Sequence, residues 1–368
     1  MRKHSRRSFI EQLGLLGGTG AVASIAGCTG NQSGSGGGGS EGSSGDDGSG
    51  GSSNGNGGST DSSQGSSGGE SVEMLIGSVF PSGHVINQMA MDWADTVAEE
   101  TGDRVSITIE ESFGGEQEVM EQTRIGSIDG TIIGTRWVIQ YDPKNFWVES
   151  PFVFEGWEQQ KRAFQTDFLD DGRQQLREQG NQRLVGPPVY RGYRHTSGNK
   201  AFETPQAIQG VNIRVPDLTP WVNIWEGMGA SPTTVAFDEL YSALQQGVVD
   251  AQENPAQTVQ AASLYEVQDY YTLTRHLAST GWFTINTDTF SQLSSDDQTM
   301  VSETLTQNIE DLSSSIAESE SQAIDQLEED GMNIVEPDRD AWLSAAEEPL
   351  RAQFEANWEP SLEDVRNI

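Results

Sequence analysis

Arg214 sits in Val211-Asn-Ile-Arg-Val-Pro216. A guanidinium among such mostly apolar neighbours is costly to bury without an anionic partner. Two sources could supply that partner: one of the chain's own many acids, or the carboxylate of a bound ligand. The planar fork of Arg donors matches a carboxylate bidentately, which a Lys point charge cannot do. Forty residues later, Asn254 lies in Glu253-Asn-Pro255. Its amide offers a donor and an acceptor, aimed by a turn that Pro255 stiffens, or it caps that turn. Phe237 reads equally as an apolar cleft wall or as core. Trp137 follows the strand end Thr131 to Gly134, the position where α/β clefts bind ligand.

Other chemistries are thinly represented. A hydrolase needs a nucleophile and a base, yet the patterned chain after residue 71 has neither a Gly-x-Ser-x-Gly elbow nor His-Glu-x-x-His. Cys28 is the single cysteine, so no disulfide within the chain is expected. Three histidines follow it without metal-ligand spacing, so neither metal nor cofactor is expected. His84 and His276 read as surface or internally satisfied residues. A secreted hydrolase using paired carboxylates stands as the alternative in so acidic a chain.

The elements that must position these residues alternate. Val72 to Val79 reads as a strand broken by Pro81-Ser-Gly. From His84, Val85, Ile86, Met89, Trp93 and Val97 recur at helical spacing until Thr101-Gly102. Val105, Ile107 and Ile109 alternate as a half-buried strand to Glu111. A helix over Glu116 to Ile125 and a strand over Gly130 to Gly134 follow. Leu184-Val185, Tyr190 to His195 and Val211 to Val215 read as further strands. A helix over 238–246 has Asp238 as N-cap and Gly247 at its end, with Glu239, Tyr241 and Gln246 serving packing and capping. The stretch 294–331 reads as one long polar helix. Strands alternating with helices argue for parallel βαβ units, in a part large enough for two lobes.

The N-terminus reads as an address. Ser5-Arg-Arg-Ser-Phe-Ile10 has the form of a twin-arginine export signal. Leu13 to Gly27 is too short for a membrane span, which needs roughly 20 apolar residues. It ends at Ile25-Ala-Gly-Cys28, which looks like a lipobox with Cys28 as the lipidated residue. Residues 1–28 are thus a lipoprotein signal peptide, and 29–71, Gly- and Ser-rich, a disordered linker. The expected place is extracytoplasmic, at the cell surface on a lipid anchor. The 297 residues after position 71 carry 50 acids and 17 bases, a net charge of −33. Such a field makes nucleic acid and anionic membrane poor partners. Acidic solutes remain possible in a locally positive cleft, and the Lys-poor surface suits concentrated salt.

Several motifs stand in order on an ungapped frame: Arg191-Gly-Tyr-Arg-His195, Val211-Asn-Ile-Arg-Val-Pro216, Phe237-Asp-Glu-Leu-Tyr-Ser-Ala-Leu-Gln-Gln-Gly-Val-Val-Asp250 and Gln252-Glu-Asn-Pro255. Together they resemble the solute receptors of TRAP transporters, the DctP-type extracytoplasmic binding proteins. The resemblance extends more weakly over about 72–368. It implies a two-lobe Venus-flytrap α/β fold with hinge strands and a long helix. Lobe I would be 72–191 plus 280–319 and lobe II 192–279 plus 320–368, hinged near 191–196 and 278–282. It implies that Arg214 holds the carboxylate of a small organic acid, with Arg194, on a crossover strand, as a second contact or paired to a local Asp. It also implies delivery of the solute to small and large permease subunits in the membrane. Three departures are visible. Phe80-Pro-Ser-Gly-His84 replaces the family's Asn-x-Pro-His, so first-lobe contacts do not transfer. Asp250-Ala251 replaces Asp-Gly. Trp221 and Trp225 are bulky for their region and would reshape the pocket.

Overall fold

The computed structural model describes residues 71–368. The twin-arginine string, Cys28 and the Gly/Ser-rich segment to residue 70 lie outside the described residues. The described chain has strands β1 (Val72–Ser78), β2 (Val105–Glu110), β3 (Gly130–Ile133), β4 (Gln182–Leu184) and β5 (Val189–Gly198). They are followed by β6 (Asn212–Val215), β7 (Ser231–Thr234), β8 (Ala251–Asn254), β9 (Tyr270–Asn286) and β10 (Asn333–Val335). Their order is β2-β1-β3-β9-β5-β8-β6-β7, with β4 and β10 also on β9.

Parallel pairing dominates away from the middle, as βαβ alternation requires. β1 pairs in parallel with β2 and β3, and β6 with β7 and β8. The middle is shared and, apart from the parallel pair β9–β10, antiparallel. β9 begins against β10 and β5, then ends against β3 and β4, so one 17-residue strand belongs to both halves. The fold is a two-lobe α/β architecture carried on strands that cross between lobes.

The helices follow their sequence signals. Val85–Thr101 starts at His84, whose Nδ1 accepts from the Ile86 N–H at 3.2 Å, and stops at Gly102 with φ 61°, the left-handed stop that Gly adopts cheaply. Its buried stripe includes Ile86, Met89, Trp93 and Val97. The long helix is Ser295–Glu329, 35 residues, or about 50 Å at 1.5 Å per residue. Ser294 Oγ caps it, accepting from the Asp297 N–H at 3.1 Å. Val301, Leu305 and Ile309 pack with Trp93 and Val97 of the first lobe, and Leu327 packs with Leu244 and Tyr271 of the second. Between those contacts, Glu320 accepts from the Tyr193 N–H at 2.6 Å and from the Tyr190 hydroxyl at 3.0 Å, tying the helix to β5.

Several local readings need correction. The segment expected as a helix over 238–246 starts as a 3-10 turn, Phe237–Glu239, and becomes α-helical only over Leu240–Gln245. Asp238 is not an N-cap there: Ala236 precedes the 3-10 turn and Glu239 precedes the α-helix. β7 through β10 were not legible. β8 is Ala-Gln-Glu-Asn, polar yet buried at every position, and the last eleven residues of β9 are buried without alternation. A strand covered on both faces loses the period-2 signal.

With its acids far outnumbering its bases, the folded part should melt at a higher temperature in 3 M KCl than in 0.1 M. The Debye length falls from about 10 Å at 0.1 M to about 3 Å at 1 M, which screens carboxylate repulsion. Equal midpoints by circular dichroism would remove the case for a salt-adapted surface.

Candidate functional site

A cleft of about 680 Å³ opens between the lobes. Phe80, Glu116 and Arg136 line it from the first lobe, and Arg214, Trp221, Phe237 and Asn254 from the second. Arg191 and Arg194 on β5 and Ser279 and Thr280 on β9 form its back. The crossing strands thus bring two arginines to the junction of the lobes.

Arg214 is the third residue of β6 and only 3% exposed. Its Nε donates to the Val235 carbonyl at 2.8 Å, and its guanidinium carbon lies 5.9 Å from the centre of the Phe237 ring. Its terminal nitrogens make no hydrogen bond to the described residues. No described carboxylate lies within ion-pair distance of it. Burial lowers its pKa to about 10, with Glu253 pulling it back up and Arg194 pushing it further down. At neutral pH it is a buried cation without a counter-ion, facing open space. Phe237 lines the cleft beside it.

Arg194 differs. It lines the cleft, but its fork is taken by Glu253: Nε donates to Oε2 at 2.5 Å and Nη2 to Oε1 at 2.7 Å. Nη2 also donates to the Glu253 carbonyl, and Nη1 to Ser279 Oγ at 3.2 Å. Burial alone would raise the Glu253 pKa, but the charge and hydrogen bonds of Arg194 outweigh it and hold the carboxyl at about 2. Arg194 is therefore first a partner in an internal ion pair, with a Glu rather than an Asp. His276 Nε2 lies 2.9 Å from the same carboxylate. His276 and His84 are both buried and each has polar partners, so of the two readings, surface or internally satisfied, the second holds.

Asn254 lines the cleft as the last residue of β8, its amide donating to Gln252 Oε1 at 2.6 Å. Pro255 is not part of a stiffened turn; it caps the helix Ala256–Ala261. Trp137 does not reach the cleft. It is wholly buried, edge-on to Trp282 at 5.1 Å. The helix Arg136–Tyr141 begins directly after β3, and successive helical residues point about 100° apart. Arg136 takes the cleft-facing direction and Trp137 turns into the core. Of the two bulky tryptophans, Trp221 lines the cleft and donates to the Glu149 carbonyl at 2.9 Å, while Trp225 packs in the core against Phe152 and Trp342.

Among the lining residues that escaped sequence reasoning, four bear on the chemistry of the cleft. Arg136 Nη1 donates across the cleft to the Asp217 carbonyl at 2.9 Å, joining its walls. Glu116 accepts from the Gly134 N–H at 2.6 Å, and burial raises its pKa against the opposing arginines. Phe80, the first residue of the string that departs from the family pattern, lies under the Arg191 guanidinium at 4.1 Å. Arg191 was visible in Arg-Gly-Tyr-Arg, but strict alternation along a strand places residues three apart on opposite faces.

Just behind the cleft, Glu149 accepts from Thr280 Oγ1 at 2.7 Å and from Trp282 Nε1 at 2.9 Å. Burial lifts its pKa to about 8 despite these bonds. The folded state therefore holds this proton more tightly than the unfolded chain. The resulting stabilisation is full below the ordinary carboxylate pKa and is lost as pH rises toward about 8. Glu149→Gln should gain in melting temperature relative to the parent as pH goes from 5 to 8. A pH-independent difference between the two would show that Glu149 is ionised throughout.

The family model for bacterial extracellular solute-binding proteins, family 7 (DctP), matches residues 76–357. A solute-binding protein of Roseobacter denitrificans is 28% identical over 291 residues, covering 77% of this chain and 89% of that one. The sialic acid-binding periplasmic protein of Vibrio cholerae is 26% identical over 277 residues, covering 75% and 86%. Among solved structures, a TRAP periplasmic solute-binding protein of Roseobacter denitrificans with bound L-galactonate has a TM-score of 0.73 at 25% identity, over 81% of this chain and 99% of that one. One from Ochrobacterium anthropi with bound L-fuconate has a TM-score of 0.74 at 24% identity, over 80% and 97%, and supports the fold.

Proposed function

The chain belongs to family 7 of the bacterial extracellular solute-binding proteins, and from that premise we propose that Arg214 holds the carboxylate of a small organic acid. The protein is the solute receptor of a TRAP-type transporter and hands that acid to the membrane permease. The observation that carries the assignment is the buried Arg214 guanidinium facing the cleft without a counter-ion. An internal Arg–carboxylate pair does exist in this site, but it belongs to Arg194 and Glu253. The Arg214 fork is left for a ligand. Asn254 and Phe237 flank the bound acid, and Arg194, steadied by Glu253, offers its Nη1 edge.

Sugar acids in the relatives of known structure fit this chemistry, since one carboxylate satisfies the fork and hydroxyls satisfy the polar walls. The secreted-hydrolase alternative finds no support among the relatives above. The signal and lipobox strings imply an extracytoplasmic receptor on a lipid anchor.

The test is a thermal-shift screen of organic acids in high salt, followed by calorimetry of the hits. Saturable stabilisation, with the acid recovered unchanged, is the expected result, and small-angle scattering should show a smaller radius of gyration as the lobes close. Binding of neutral polyols in preference to every acid would overturn the assignment.

A further inference from the structure

We propose that the protein has a second small-molecule site, outside the cleft, that takes an aromatic acid: a single carboxylate on an aromatic body.

A cavity of about 660 Å³ lies between the helices Trp157–Phe164 and Asp170–Gly180, the loop joining β4 to β5, and the long helix. It shares no lining residue with the cleft. Its volume falls within the range of small-molecule pockets, about 300–1,000 Å³. The floor is aromatic. The Phe164 ring stands edge-on to Trp282 at 5.3 Å and tilted to Trp157 at 6.3 Å, and Ile309 completes the apolar surface. Trp282 Nε1 donates to Glu149 at 2.9 Å, which fixes that ring in place. A further aromatic ring extends such a cluster edge-to-face.

The wall opposite is set by the backbone. Gly186-Pro187-Pro188 lines the cavity, and Gly186 has φ 72°. A Cβ there would meet Ile309 Cδ1 of the long helix at 2.9 Å. The glycine lets the loop turn and sit against the helix, and the two prolines lock their own φ. The cavity is thus built from stiff parts and does not need a ligand to shape it.

Charge selects the ligand class. In a folded part with 50 acids and 17 bases, Lys161, Arg173 and Arg177 line this opening against Glu158 and Glu310. The local balance is the reverse of the surface at large. Lys161 pairs with Glu158 at 2.9 Å and Arg173 with Asp170 at 2.8 Å, pairs that solvent reaches and that hold weakly. Arg177 is exposed at the rim and makes no hydrogen bond or ion pair to the described residues. An aromatic acid lays its ring on the floor and meets that fork with its carboxylate. A second carboxylate would face Glu158 and Glu310, which is why the site favours a single charge.

The experiment is calorimetry with phenylacetate, phenylacetamide and acetate on the wild-type chain, Arg177→Glu, Ala317→Trp and Arg214→Ala. Phenylacetate should bind the wild type about tenfold or more tighter than either control, since the amide lacks the charge and acetate lacks the ring. Arg177→Glu should weaken it about tenfold. Ala317, exposed on the long helix, lines the cavity, so Ala317→Trp should fill the opening and abolish binding. Arg214→Ala should leave phenylacetate within threefold, because the cleft is not its site. Loss in Arg214→Ala, with binding kept in Arg177→Glu and Ala317→Trp, would place the acid in the cleft and overturn the inference. Equal binding of acid and amide, or no binding of phenylacetate, would overturn it as well. None of these failures touches the role of Arg214, which the acids of the thermal-shift screen test separately.

Discussion

Arg214→Ala should abolish solute binding while the protein stays folded. The side chain contributes little to the protein's own bonding, a single Nε contact to the Val235 carbonyl, so few internal partners are orphaned by its loss. Removing one member of a desolvated ion pair costs roughly 3–5 kcal/mol, about two to four decades in Kd. Arg214→Lys should also bind weakly, because the charge survives and the fork does not. Calorimetry placing Arg214→Ala within threefold of wild type would show that the carboxylate is held elsewhere. The free protein's melting temperature is the control, and it should change little or rise, since an uncompensated buried cation has been removed.

Glu253→Ala should do the reverse and damage the fold first. Glu253 is fully buried and receives Arg194 through two side-chain contacts, with His276 on the same carboxylate. Deleting it leaves a buried guanidinium uncompensated, at roughly 3–5 kcal/mol. With each kcal/mol moving Tm by about 2–4 °C in a chain of this size, the loss should be on the order of 10 °C. The half-exposed pair Arg104–Asp297, at 2.7 Å, offers a contrast, since such pairs contribute about 0–1 kcal/mol. A double replacement, Arg194→Leu with Glu253→Leu, should recover part of the loss, because an apolar pair does not carry the desolvation cost. If Glu253→Ala melts within 2 °C of wild type, water must reach the back of the cleft and the site is not as dry as its geometry implies.

The contrast between these two arginines marks where sequence reasoning stops. Arg214 and Arg194 both stood in motifs that pointed to the same cleft, and both line it. Which of them keeps a free fork depends on Glu253, 59 residues from Arg194 in the chain and brought beside it by the β5–β8 pairing of His195 with Asn254. Spacing within a motif carries no record of such a pairing. Trp137 failed for a more local reason. The strand end was read correctly, but the helix starting at Arg136 turns by about 100° per residue, and one residue separates cleft from core.

By itself, the sequence determined the elements whose signals are local. The helix Val85–Thr101 has its apolar stripe, its His84 cap and its Gly102 stop within a few residues of one another. The long helix announces itself by length and polarity, and the ordered motifs from Arg191 to Pro255 identify the family. Tertiary structure alone decided that β9 serves both lobes and that β8 is a buried polar strand. It also decided that the β5–β9 pairing shifts register between Tyr190 and Tyr193, at Gly192 with φ 89°, where Arg191 lines the cleft. The physical reason is common to all three. Periodicity reports which face of an element meets a core, but burial on both faces erases the period. A backbone irregularity shifts it, and the neutralisation of a buried charge depends on residues that only folding brings within reach.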